Sequence, residues 1–169
     1  PQTGQREVWE QQGKGRLVMP YHLDSSKGNA QRVSGTPHSW ADAHSAWGEG
    51  RISAWPTYKT NTSMGYYREQ ELPFQFALAN TFTLCDAYHC SVHAGTNPNR
   101  LFLWTGSNGA SAAKVAAVVN EWDGPGPVNV GYSWKTYPER LEEQGVSWKV
   151  YQHLPDNFGD NPLAGFRQY

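Results

Sequence analysis

FTLCDAYHCSVHAGTNPNRLFLWTG, residues 82–106, is the stretch whose reading decides the fold. Phe82-Thr83-Leu84-Cys85 is an apolar run of β type, and it leads into a polar turn ending in Gly95-Thr96-Asn97-Pro98. Asn99 to Trp104 then reads as helix. Thr96 is therefore expected where a strand-to-loop crossing meets a helix start. Pro98 suits the first helical turn, where a missing N–H costs nothing. Free N–H groups and the dipole at such a start favour an anion. A hydroxyl beside a phosphate bound there is placed for in-line attack on phosphorus. On spacing alone, a threonine N-cap is the simpler role.

Outward from this stretch, residues 67–80 contain Glu71-Leu72-Pro73-Phe74-Gln75-Phe76-Ala77-Leu78. Pro73 fits a first helical turn, and Phe74, Ala77 and Leu78 fall on one face at i, i+3 and i+4. Residues 37–55 are predicted helical, with Pro37 in the first turn and Gly48 at the end. Leu17 to Leu23 reads as a short strand or extended segment, and residues 56–65 as a Thr/Asn/Ser loop. The small-residue run Ala112 to Val119 fits helix or strand, and residues 123–130 are a loop by their Pro and Gly content. Thr136 is a candidate cap for a helix over Tyr137 to Gln144, with Glu139 in its first turn and Gly145 as its stop. Ser147 to Tyr151 reads as a short strand. This order of helices and strands predicts an α/β fold with helices on the faces of a sheet.

The 169 residues carry a net charge of −1, so no nucleic-acid footprint is visible. No apolar run approaches the length of a transmembrane segment. No signal peptide is seen, and the chain opens Pro1-Gln2 without Met, so we expect a piece of a longer protein. Eight Trp and nine Tyr against 38% hydrophobic residues mean that aromatics fill much of the core or line a site. Low charge and many aromatics fit a secreted protein. Cys85 and Cys90 have no second pair to make a zinc site, and a disulfide and two free thiols are equally open.

CDAYHCSV followed by G-T-x-P-N-R-L-x-L-W-T-G resembles the bacterial phosphocholine-specific phospholipases C. That phosphoesterase family is shared with certain acid phosphatases and is more distantly related to the alkaline phosphatases. The resemblance runs over nearly the whole chain. It implies that residues 1–169 are the inner part of a single phosphoesterase catalytic domain, an α/β/α sandwich, incomplete at both ends. The family's Glu-Asn-Arg-Ser-Phe-Asp-like motif is absent, as are its later acidic and histidine residues. A domain cut through its sheet would leave unpaired edges and exposed apolar faces. The isolated piece is therefore expected to be inactive and poorly soluble. The resemblance implies hydrolysis of phosphatidylcholine-type diesters of phospholipid to diacylglycerol and phosphocholine, in a bacterial enzyme that is secreted or periplasmic. It also leaves room for a divalent metal, with Thr96 as one ligand and the others outside this chain.

In that family the position of Thr96 is the nucleophile, which turns the reading away from a simple cap. A threonine hydroxyl needs a metal or a base to activate it. Arg100 matches a phosphate-binding role, since a guanidinium fits two oxygens, or a surface salt bridge. Asn99 donates to a phosphoryl oxygen or braces the turn. His38, in Pro37-His38-Ser39-Trp40, resembles a histidine near the phosphate that donates to the leaving oxygen; the alternative is a histidine packed on Trp40. His44, His89, His93 and Asp86 have weaker claims. Trp40, Trp47, Trp55, Tyr66, Tyr67 and Trp104 could cage a quaternary ammonium, although core filling suits most of them. Two other functions stay open. One is a phosphomonoesterase on the same scaffold, whose turn usually carries Gly-Gly-Ser. The other is a non-catalytic piece that binds lipid or sugar.

Overall fold

The computed structural model describes residues 10–109, 116–120, 131–153, 155 and 161–169. The first half of the small-residue run Ala112 to Val119 lies outside them, and the loop at 123–130 entirely so. The chain divides into two compact units, Pro1–His89 and Cys90–Tyr169.

In the first unit, β1 (Gln11–Gln12) pairs antiparallel with β2 (Leu17–Val18). β3 (Tyr21–His22) pairs in parallel with β4 (Gly65–Tyr66). Helix α1 (Trp40–Trp47) packs on α2 (Trp55–Lys59). Pro37 lies outside α1, which begins instead with a capping box: Ser39 and Asp42 satisfy each other's backbone amides. The helix ends as expected at Gly48, which takes the left-handed conformation (φ 53°) that glycine adopts without cost. Lys59 is buried and donates to the Pro37 carbonyl at 2.8 Å and to the Asp42 carboxylate. It thereby fixes the segment that carries His38 against α1 and α2.

A second buried charge ties the two halves of the parallel pair. Glu71 is 4% exposed. His22 Nε2 lies 3.0 Å from its Oε2, the Arg68 amide donates to the same oxygen at 2.9 Å, and Gln70 donates to Oε1 at 2.5 Å. A buried carboxylate is tolerated when it is paired and hydrogen-bonded in this way. Burial pushes Glu71 upward, but the bonds from His22, Gln70 and the Arg68 amide outweigh it and bring the carboxyl down to about 2. Asp42 behaves similarly: burial raises it, and Lys59 and Ser39 together leave it lowered.

Helix α3 (Pro73–Thr81) starts at Pro73 and is shorter than the 67–80 span suggested. Its apolar face is uncovered: none of its residues is buried, and Phe74 is 68% exposed. Phe82–Cys85, expected as a strand, is extended chain without a ladder, with Phe82 and Leu84 exposed. Ser147–Tyr151, the other expected strand, also lacks one. Trp148 instead reaches Glu142 Oε1 at 3.1 Å and meets the Tyr169 ring edge-on at 5.9 Å. A strand exists only when a neighbour supplies the other half of its hydrogen bonds, and the described residues hold no neighbour for either segment. Helices and two-stranded pairs are thus the α/β elements seen, and no larger sheet occurs among the described residues.

The second unit is organised by α4 (Thr96–Thr105), α5 (Tyr137–Glu143) and the turn Pro162–Gly165. Leu101 is fully buried against Ala117 and Phe166, with Tyr132 and Trp134 packed around them. The Trp134 indole donates to Thr105 Oγ1 at 2.9 Å. Gly109 lets that ring approach, because a Cβ there would lie 2.5 Å from it, and its φ of 81° also favours glycine. Thr136 caps α5 as expected, and Glu139 completes a capping box with it.

Two predictions follow from these contacts. The exposed faces of Phe74, Leu78, Phe82 and Leu84 should make the 169-residue chain self-associate when produced alone; sedimentation as a single monomeric species with a cooperative melt would contradict this. Glu71 and Asp42 have folded-state values below the ordinary 4.5 and 3.8. Their stabilisation is complete above those values and is lost as pH falls below them, for Glu71 toward about 2. In the full-length protein, Glu71→Gln should flatten the fall in melting temperature over that window; an unchanged slope would contradict the pairing.

Candidate active site

Thr96 is the first residue of α4, and Gly95 is its N-cap. Gly95 has no side chain to cap the helix, and no acidic residue stands in the first turn. Thr96 is thus one step past the cap position. Its hydroxyl is exposed and has no hydrogen-bond partner among the described residues. The cap reading of Thr96 is set aside by this geometry, while the helix start itself stands where expected.

Helix starts leave four amides without intrahelical acceptors. Here Pro98 has no N–H, and the Asn97 amide donates to Asn120 Oδ1 at 3.0 Å. The amides of Gly95 and Thr96 remain without a protein acceptor among the described residues. Two donors, not four, are therefore available to an anion at this end of α4.

The loop before Thr96 is held by one side chain. Asn99 Oδ1 accepts from the Ser91 amide at 3.0 Å and the Val92 amide at 3.2 Å. Its Nδ2 donates to the Val92 and Gly95 carbonyls, both at 3.0 Å, with Ala94 O at 3.4 Å. Of the two roles open to Asn99, the bracing of the turn is the one these bonds perform. Asn97 is 5% exposed, and its Nδ2 reaches the Tyr132 hydroxyl at 3.2 Å, which pins the helix start to the aromatic core. Sequence reasoning did not find Asn97, Asn120 or Tyr132. Nothing in their spacing marks them, since they meet only through the fold.

Arg100 is half-buried and four residues beyond Thr96. Residues at i and i+4 share a helix face, so Arg100 stands one turn beyond Thr96 on the same face of α4. The structure thus brings Thr96, Asn99 and Arg100 together within one element.

His38 lies in the first unit, exposed, immediately before the Ser39 cap of α1, with Nδ1 3.0 Å from the Thr36 carbonyl. His44, not His38, is the histidine packed on Trp40: it stacks on that ring at 3.8 Å and meets its carbonyl at 2.9 Å. Asp86 stands in an exposed turn and ends no strand. Cys85 and Cys90 are both free and exposed. Among the candidate cage aromatics, Trp55 lies under Lys59, Tyr66 stacks on His22, and the Tyr67 hydroxyl donates to Ala30 O at 2.9 Å. Each is engaged by its own neighbours. Among the described residues no three His, Cys, Asp or Glu side chains gather closely enough to hold a metal ion. These residues therefore do not make a metal site on their own.

Asn99→Ala should loosen the turn. It removes partners from two amides and three carbonyls, at about 1 kcal/mol net for each bond lost. In the full-length protein, hydrogen exchange at Ser91 and Val92 should accelerate, with Asn99→Asp intermediate because it keeps the acceptor oxygen. Unchanged exchange in Asn99→Ala would contradict the brace.

The chain matches the Phosphoesterase family over residues 1–169. It is 58% identical over 167 residues to a non-hemolytic phospholipase C of Pseudomonas aeruginosa, covering 98% of this chain and 24% of that protein. It is 40% identical over 173 aligned residues to a non-hemolytic phospholipase C of Burkholderia pseudomallei, covering 90% of this chain and 23% of the relative. Phospholipase C A of Mycobacterium tuberculosis is 37% identical over 154 residues, covering 81% and 28%. The chain therefore spans about a quarter of the length of the curated relatives it matches. The chain belongs to the Phosphoesterase family.

Proposed function

We propose that this chain forms part of a phospholipase C catalytic domain that cleaves phosphatidylcholine-type diesters, with Thr96 as the nucleophile. The observation that carries the reading is the Thr96 hydroxyl at the start of α4, without a partner among the described residues, beside two amides likewise unpartnered among them and one turn from Arg100. Relatives named phospholipase C supply the reaction class. In this reading the domain as a whole is an α/β/α sandwich and the enzyme is secreted or periplasmic. No helix among the described residues is long and apolar enough to cross a membrane.

The substrate phosphate lies at the start of α4, where the helix dipole and the Gly95 and Thr96 amides favour negative charge. Arg100 adds a fork of donors to the equatorial oxygens. Asn99 holds residues 91–95 so that the hydroxyl keeps its place. Thr96 Oγ gives up its proton to water and attacks phosphorus as the bond to the diacylglycerol oxygen breaks. The role of proton donor to that leaving oxygen falls to His38 on the family resemblance alone. Water then attacks the phosphothreonine and releases phosphocholine, restoring the hydroxyl. Stabilising the charge that spreads over the phosphoryl oxygens accounts for most of the acceleration, as in other phosphoryl transfers. A divalent metal that activates Thr96 would take its remaining ligands from outside the described residues.

The test is release of p-nitrophenol from p-nitrophenylphosphorylcholine by the full-length protein. Thr96→Ala should lower kcat by a factor on the order of 10⁴ or more, as removal of a nucleophile does. Thr96→Ser should keep measurable turnover. Undiminished turnover in Thr96→Ala would overturn the role of Thr96. Faster turnover of p-nitrophenyl phosphate than of the choline diester would move the activity to a phosphomonoesterase.

A further inference from the structure

We propose that Asn120 is a positioning residue that keeps the start of α4 capped without charging it. This inference rests on the reading of Thr96 as the nucleophile of a phosphoryl transfer. Three helices in this chain solve the same problem in two ways. α1 and α5 close their first turns with a carboxylate, Asp42 and Glu139, each bonded back to the cap residue. A carboxylate there complements the helix dipole and is the ordinary stabilising choice. α4 has no acid in its first turn and no side-chain cap of its own. Its one capped amide, that of Asn97, is satisfied from a distant segment by a neutral side chain, Asn120 Oδ1 at 3.0 Å.

A neutral acceptor has a consequence that a carboxylate would not. It satisfies the Asn97 N–H, which otherwise would be left unpaired beside a side chain that is 5% exposed. It does so without a negative charge next to the Gly95 and Thr96 amides. An aspartate at 120 would keep the hydrogen bond and strengthen the cap, yet would repel a phosphodiester arriving at the same helix start. Asn120 thus trades helix stability for substrate affinity, and the cost of reversing that choice is electrostatic.

The experiment uses the full-length protein as wild type, Thr96→Ala, Asn120→Asp and Asn120→Ala. Steady-state kinetics on p-nitrophenylphosphorylcholine are measured at low and high salt, beside melting temperatures. The proposal expects Asn120→Asp to melt no lower than wild type. Its KM should rise on the order of tenfold at low salt, and added salt should shrink that difference, with kcat little changed. Asn120→Ala should melt lower and lose kcat, without the salt dependence. An Asn120→Asp enzyme with wild-type KM at low salt overturns the proposal while leaving Thr96 as nucleophile. So does an Asn120→Asp that loses stability and kcat together as Asn120→Ala does, which would make Asn120 a structural brace only. A wild type without turnover, or a Thr96→Ala with full turnover, removes the reading of Thr96 and this inference with it.

Discussion

The first turn of α4 depends on two side-chain amides. Asn97 fastens the turn inward, to the Tyr132 hydroxyl at the edge of the aromatic core. Asn99 fastens it backward, to the backbone of the loop that precedes it. Neither residue adds charge, and each satisfies groups that folding would otherwise leave unpaired. With both in place, Thr96 sits at the helix start with its hydroxyl unused, and the Gly95 and Thr96 amides stay unpartnered among the described residues. Reactive groups tend to be left over where everything around them is satisfied, and α4 follows that rule.

The charged clusters elsewhere have a different character. Lys59 with Asp42, and Glu71 with His22 and Gln70, are buried, paired and closed. Lowered carboxyl values at Asp42 and Glu71 come from those partners, and they report folding in the first unit. Perturbed ionisation marks functional sites only when the group can still meet a substrate. At α4 the opposite holds: the candidate chemistry carries no titratable brace, and its readiness comes from backbone geometry.

Local punctuation was the legible part of this sequence. Pro73 opens α3, Gly48 closes α1, Thr136 with Glu139 begins α5, and Gly95-Thr96 begins α4, each because one residue decides a dihedral or satisfies an orphan amide. Segments that need a distant partner were misread. Phe82–Cys85 and Ser147–Tyr151 have β-type composition, yet no ladder forms for them among the described residues. Composition speaks for one side of a sheet and never for its neighbour. The site divides in the same way. Thr96, Asn99 and Arg100 could be named because they lie within five consecutive positions. Asn120 and Tyr132 could not, because the chain between them and α4 must fold before they meet.

Covalent transfer to Thr96 is the centre of this account, and it can be observed directly. The full-length protein would be mixed with a phosphatidylcholine substrate, quenched in acid within the first turnover, digested and examined by mass spectrometry. The account predicts a phosphocholine adduct on the peptide that contains Thr96, located on that threonine and absent from Thr96→Ala. An adduct on another residue, or turnover that yields no adduct on Thr96 at any quench time, would contradict it.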